Sequence, residues 1–262
     1  MKIKLFLTLS ILMFSIIVPQ KSQAENQTAN QKGSVQFEAS LIPPQVIDPE
    51  FPEKPVDPGE FTPQGEYLRL DFAPQLNFGR NKLSSQDQFY SVNAQLFHGE
   101  QEARGNFVQV SDSRTTSAGW KLQVRQETAF TESKETGLIG AYLSLDKAWA
   151  NSSMDQKYAP ILGSEVVRID KVGTTYNLAN AEKGTGQGTW TIAFGASEEN
   201  ENAIDPTLKP AVDEHGSPIL DPNFENKQVY KNKAVTLFVP GSVEKKQTKY
   251  QTVITWILSE LP

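Results

Sequence analysis

The stretch SAGWKLQVRQ (residues 117–126) alternates apolar and polar side chains along its length. The apolar set is Ala118, Trp120, Leu122 and Val124, and the polar set between them is Lys121, Gln123 and Arg125. Successive side chains of a strand point to opposite faces, so this period of two predicts a half-buried β-strand. We expect the two indole-bearing tripeptides of the chain, Trp120–Leu122 and Trp256–Leu258, to lie on such strands.

Short runs of the same kind recur along the chain between glycine, proline, asparagine and serine. They are residues 67–72, 76–79, 106–110, 138–147, 188–195, 234–241 and 250–258. In residues 138–147 the period places Ile139, Ala141, Leu143 and Leu145 on one face. No stretch sustains a capped helical period. The pattern therefore predicts an all-β fold, a β-sandwich with Greek-key-like connections, as a single domain over residues 65–262.

The first 64 residues have a different composition. Residues 1–24 combine Lys2 and Lys4, an apolar run and Ser22-Gln23-Ala24, which predicts a secretory signal peptide. Residues 25–64 are polar and then proline-rich, with seven prolines among residues 43–63. Such a composition favours extended polyproline II, so we predict a partly disordered linker or spacer.

Charge and cysteine content limit the class of protein. Removal of a leader that holds three lysines and no acid lowers the net charge from −6 to −9, so we expect no nucleic-acid partner. The chain has no cysteine, and an exported domain without disulfides must depend on its hydrophobic core. An exported chain without thiols fits a Gram-positive surface. We expect no covalent or membrane attachment signal in the mature protein.

Residues 196–226 form a polar, turn-rich excursion that contains eight acidic residues and a single basic residue, Lys209. Loops of this size are usually functional or disordered. Clustered acids suggest calcium, but the Asp-x-Asp-x-Asp-Gly spacing of a calcium loop is missing, so we predict no metal site. The lysine-rich residues 227–249 that follow leave two interpretations open, a solvated surface or a basic patch for an anionic wall polymer.

The sequence contains no recognisable catalytic signature. A cysteine nucleophile is excluded, His98 and His215 both lie in turn-like sequence, and no GxSxG or HExxH motif occurs. Gly184-x-Gly186-x-Gly188 enters a strand and is interpreted as a flexible turn. A carboxylate pair for glycoside hydrolysis is not selected by any spacing. We predict a protein that is not an enzyme and has no cofactor.

With these strands in place, the chain resembles the WxL-domain family of Gram-positive surface proteins. The matching segments are LRLDFAPQLNFGRNKLSSQDQFY (68–90), NFVQVSDSRTTSAGWKLQVRQ (106–126), LIGAYLSL (138–145), KGTGQGTW (183–190) and VTLFVPGSVEKKQTKYQTVITWILSELP (235–262). Two departures are Ile257, apolar where the family often carries a polar residue, and the long excursion.

The resemblance implies a secreted protein held non-covalently on the cell wall by binding peptidoglycan or an associated wall polymer. It also implies other WxL proteins and a membrane-anchored surface protein as companions. An alternative is an interaction subunit that binds such a companion or a host matrix protein. The predicted binding residues are Trp120, Lys121, Leu122, Trp256, Ile257 and Leu258.

Two interpretations of the motif tryptophans remain open from the sequence. Either Trp120 and Trp256 pack inward as anchors of the fold, or they contact glycan directly. If they pack inward, the binding surface lies on neighbouring outward positions such as Lys121, Gln123 and Arg125.

Overall fold

A computed structural model describes residues 45–132 and 137–261. The predicted signal peptide lies outside this part of the chain. Within it the fold is all-β, with antiparallel sheets and two single-turn 3-10 helices at Gln156–Tyr158 and Pro222–Phe224. This confirms the predicted fold class.

The strands of the described residues are numbered along the chain. They are β1 (Gln64–Gly65), β2 (Leu68–Phe72), β3 (Gln88–Asn93), β4 (Asn106–Asp112), β5 (Trp120–Gln126), β6 (Tyr142–Asp146), β7 (Ala148–Asn151), β8 (Ile161–Leu162), β9 (Val166–Ile169), β10 (Thr175–Ala181), β11 (Gly188–Phe194), β12 (Leu208–Pro210), β13 (Leu220–Asp221), β14 (Lys227–Gln228), β15 (Tyr230–Val239) and β16 (Ile254–Glu260).

Three sheets surround one main hydrophobic core. The first has the order β1-β2-β4-β11-β7, the second β16-β5-β10-β8, and the third β12-β15-β6-β9 with β3 paired to β15. All three contribute fully buried side chains, such as Trp190 from the first sheet, Leu122 from the second and Val235 from the third. The small β13-β14 sheet lies in the excursion.

Strand β4 is buried along its whole length because both faces of the first sheet are covered. Val108 and Val110 face the main core, whereas Phe107 faces a second apolar cluster with Phe72 and Trp149. Val46 and Val56 of the proline-rich segment pack against this second cluster. The segment therefore supplies part of the cover of the sheet.

The structure differs here from the predicted spacer. Asp48 is 0% exposed, and the guanidinium of Arg104 donates to its carboxylate at 3.1 Å. The side chain of Asn151 donates to the Pro49 carbonyl at 3.0 Å, and the side-chain carbonyl of Gln109 accepts from the Ile47 amide at 2.9 Å. The backbone of this segment is not extended, because it turns back on itself and the Val56 amide donates to the Val46 carbonyl at 2.8 Å. Buried polar partners attach residues 45–58 to the domain. A spacer is the wrong description of that part.

Two strand predictions need correction. Residues 76–79 form no strand, although the Asn77 carbonyl accepts from the Asn93 amide at the end of β3 at 2.7 Å. The predicted strand at residues 138–147 begins only at Tyr142 in the structure. A turn precedes it, with Gly140 at φ 79°, and it leaves Ile139 82% exposed instead of on the core face.

The excursion at residues 196–226 is folded against the domain. The carboxylate of Glu50 accepts hydrogen bonds from the Ser197 amide at 2.6 Å and the Ser197 hydroxyl at 2.5 Å. Strand β12 pairs with β15, and Asp221 caps the second 3-10 helix. The beginning of the excursion is thus tied to the proline-rich segment and its middle to the third sheet.

Candidate functional site

The two Trp-x-Leu tripeptides lie on neighbouring antiparallel strands of the second sheet. Strand β16 pairs with β5 without a register shift, so that Leu258 lies opposite Leu122 and Trp256 opposite Val124. Residues directly opposite one another share a face of a sheet. Both tripeptides therefore turn their tryptophan and leucine side chains toward the core face.

Trp120 is a core residue. Its side chain and that of Leu122 are both 0% exposed, and the indole N–H donates to the Gly186 carbonyl at 2.9 Å. A sugar ring stacks on an indole only if one face of the indole is open. Burial therefore confirms the inward interpretation for Trp120 and leaves no room for ligand contact by Trp120 or Leu122.

Trp256 is different because β16 is the last strand of its sheet. Its side chain is half-buried. The indole N–H groups of Trp120, Trp149 and Trp190 each donate to a backbone carbonyl at 2.9–3.0 Å. The Trp256 indole makes no hydrogen bond with any described residue. One tryptophan of the two motifs thus keeps a free donor.

A cleft of about 320 Å³ lies between β16 and the β1–β2 edge of the first sheet. It is lined by Gln64, Gly65, Leu68, Leu70, Trp256, Ile257 and Leu258. This volume is at the small end of the range for ligand pockets, which is about 300–1,000 Å³. The cleft joins the second tripeptide to β1, and no local pattern in the sequence reports this contact between distant segments.

The other side of the second sheet is polar and accessible, and we call it the outer face. It comprises Lys121, Gln123 and Arg125 from β5, Thr175, Asn177 and Asn180 from β10, and Thr255, Ile257 and Ser259 from β16. The alternating burial of β5 confirms the period of two seen in the sequence. Of the predicted binding residues, Lys121 and Ile257 lie on this face.

Some polar groups of the outer face are engaged and others are free. The Arg125 guanidinium donates to the Glu127 carboxylate at 2.9 Å, and this contact together with the Thr255 hydroxyl holds the pKa of Glu127 below its usual value. Lys121 forms no ion pair with any described residue, so its ammonium is available to a polar ligand. The side-chain carbonyl of Asn180 also has no hydrogen-bond partner among the described residues, but this oxygen is buried.

The buried charges of the domain brace the proline-rich segment. Arg104 is 2% exposed and lies 3.1 Å from the Asp48 carboxylate and 3.4 Å from that of Glu50. Burial raises the pKa of Glu50, and the hydrogen bonds from Ser197 and the charge of Arg104 oppose that rise. These partners occupy the carboxylates, so the cluster has a structural role.

A wider groove of about 780 Å³ runs along the proline-rich segment and contains His98 and Glu100. The His98 ring bonds the Glu225 carboxylate at 2.7 Å and packs on Phe224 at 4.8 Å between ring centroids. The histidine therefore joins the excursion to the body of the domain.

Two further properties concern the described residues alone. Nowhere in residues 45–132 and 137–261 do three or more histidine or carboxylate side chains gather as metal ligands. No helix in this part of the chain is long and apolar enough to cross a membrane.

Comparison with protein families matches residues 24–262 to the family described as WxL domain surface cell wall-binding. The chain belongs to this WxL family. The match confirms the resemblance drawn from the sequence, and it identifies the WxL chain as a cell-surface protein that binds the cell wall. Comparison with curated proteins and with solved structures gives no match.

Proposed function

We propose that this WxL protein binds peptidoglycan through the outer face of its second sheet and that it catalyses no reaction. In this proposal the leader at residues 1–24 directs export from a Gram-positive cell, and the domain holds the protein on the wall without a covalent bond. Peptidoglycan is the finer identification within the cell-wall-binding function of the family.

One observation carries the proposal: the tripeptides face the core, and polar side chains occupy the accessible positions between them. Lys121, Gln123 and Asn177 project from one nearly continuous surface of paired strands. Peptidoglycan presents hydroxyl, amide and carboxylate groups along an extended chain. A flat array of ammonium and carboxamide groups supplies donors and acceptors that match them.

The test compares two double variants in sedimentation with purified peptidoglycan. Lys121→Ala with Gln123→Ala removes one cation and one amide from the outer face. Lys209→Ala with Gln86→Ala removes the same groups from exposed positions elsewhere. One charged and one neutral hydrogen bond together contribute about 2 kcal/mol, so we expect affinity to fall about 30-fold in the first variant only.

Two outcomes would contradict this assignment. One is wild-type binding by the outer-face variant, and the other is an equal loss in both variants. Loss of binding confined to Trp256→Ala, at a temperature where that variant is folded, would place the ligand in the cleft instead.

The absence of catalysis is tested separately. The buried carboxylates Asp48 and Glu50 are engaged by Arg104 and Ser197, which favours a structural role for them. We expect incubation of the protein with purified walls to release no soluble muropeptides above a heat-inactivated control. Release that increases with protein concentration would refute the proposal that the protein is not an enzyme.

A second candidate function rests on the excursion. Val212, Ile219 and Leu220 are 54%, 40% and 50% exposed there, beside the acids Asp213 and Glu214. Exposed apolar groups with a charged surround are typical of protein interfaces. They favour a companion membrane-anchored surface protein or a host matrix protein as a partner. Changing the three apolar residues to serine should abolish partner pull-down and preserve wall binding; an unchanged pull-down would contradict it.

A further inference from the structure

Strand β16 has an open edge. Among the described residues it pairs only with β5. The Glu127 amide donates to the Val253 carbonyl at 2.8 Å, and the Leu261 amide donates to the Gly119 carbonyl at 3.3 Å. These bonds show that the odd-numbered residues of β16 are the ones whose backbone groups are hydrogen-bonded to β5. Because such positions alternate in an antiparallel pair, the backbone N–H and C=O groups of the even-numbered residues point away from β5.

The open backbone groups belong to Ile254, Trp256, Leu258 and Glu260. Proteins usually protect an edge with proline, lysine, a bulge or a very short strand. The opposite edge of the same sheet follows this rule, since β8 has two residues and follows Pro160. Strand β16 has seven residues, no proline, no lysine and no register shift. Its edge is a template for another strand.

We propose that a second copy of this chain pairs with this edge, antiparallel, about a two-fold axis at Ile257. The segment is complementary to itself in this register. Trp256 lies beside Leu258 of the second copy. The backbone N–H and C=O groups of both residues point away from β5, so in the new pair each free N–H meets a free C=O. Thr255 lies beside Ser259 of the second copy.

Charge also favours a second copy as the occupant. Glu260 is the only charged residue of β16, and the two-fold register places it beside Ile254 of the second copy. The two Glu260 side chains therefore stay at opposite ends of the paired strands. The Arg114 guanidinium already holds the Glu260 carboxylate at 2.6 Å. No like charges face each other in the pair.

The pairing also accounts for the apolar cleft. Trp256 and Leu258 line it and remain half-buried in the single chain. The same two residues of the second copy would lie across its open side and remove more of this apolar surface from water. The two four-stranded sheets would become one sheet of eight, with a continuous outer face. Two sets of outer-face residues on one surface would increase avidity for a repetitive polymer.

The absence of cysteine allows a direct test by cross-linking. At the two-fold axis the Ile257 positions form a non-hydrogen-bonded pair, with Cα atoms about 4.5 Å apart. That distance is within the range of about 4.4–6.8 Å for a disulfide. The full chain with Ile257→Cys should form a disulfide-linked dimer under a mild oxidant.

Gln123→Cys is the matched control, because Gln123 lies beside Ile257 on the same face, one strand inward. In the proposed dimer its counterpart is three strand spacings away, about 14 Å, so no cross-link is expected. Equal cross-linking of the two variants would overturn the proposal.

Ile257→Lys provides a second, independent measurement. It places two ammonium groups face to face at the axis, and the outward position leaves the core of each copy unchanged. Sedimentation equilibrium should give a dimer mass for the wild type and a monomer mass for this variant, with the same thermal midpoint at matched dilution. A wild-type monomer at the highest soluble concentration would overturn the inference. A wild-type protein that is monomeric and still binds walls would overturn this inference alone and leave the proposed function intact.

Discussion

The two motif tryptophans should differ in what they contribute to stability, although their sequence contexts are alike. Trp120 is 0% exposed and its indole donates to Gly186, whereas Trp256 is half-buried with a free indole N–H. Truncation of a buried tryptophan costs about 3–5 kcal/mol, so we expect a loss of about 4 kcal/mol for Trp120→Ala. Because Trp256 is only partly buried and its truncation breaks no hydrogen bond, Trp256→Ala should cost less, about 2 kcal/mol.

For a domain of this size, each kcal/mol shifts the thermal midpoint by about 2–4 °C, so Trp120→Ala should lower it by about 8–16 °C. The free energies come from urea titration followed by far-ultraviolet circular dichroism. An unchanged m-value shows that the cooperative unit is the same in each variant. An equal cost for the two variants, or a larger one for Trp256→Ala, would refute the account of their burial.

Two further predictions concern a glycine and a buried carboxylate. A Cβ on Gly186, at φ 74°, would lie 2.6 Å from the Trp120 indole nitrogen, whereas one on Gly184, at φ 90°, meets nothing within 4 Å. Gly184→Ala should cost about 1–2 kcal/mol of backbone strain, and Gly186→Ala clearly more, by urea titration; equal costs would contradict this packing. Because burial raises the pKa of Glu50, the folded state holds that proton more tightly. Stability should therefore fall as pH rises from the usual glutamate range through the raised pKa, and Glu50→Gln should flatten that part of the profile. An unchanged profile in the variant would be evidence against this burial.

The sequence alone was sufficient to predict strands whose alternation of apolar and polar residues lies within one short segment. Strand β5 was predicted from its alternation, and the structure confirms both its position and its inward face. The same local pattern did not distinguish Trp120 from Trp256. Their difference depends on which strand ends the sheet, and that is a property of topology.

Long-range pairing explains what the sequence did not show. The proline-rich segment packs on the domain because Asp48 meets Arg104, 56 residues away along the chain. No periodicity reports such a partner. The sequence predicted that Lys121, Gln123 and Arg125 point outward. The outer-face residues that β10 contributes are known only from its register with β5 in the structure. Strand β10 has a bulge, which breaks the alternation that would have identified its outward residues.

The most direct test of the central claim is a footprint of the outer face during binding. The Gln123→Cys variant places the only thiol of the chain at the centre of that face, and Lys209→Cys places it at an exposed site on another sheet. Maleimide modification is followed with and without soluble peptidoglycan fragments. We predict that the fragments slow modification at position 123 and leave the rate at position 209 unchanged. Equal rates at position 123 with and without saturating fragments would contradict the account.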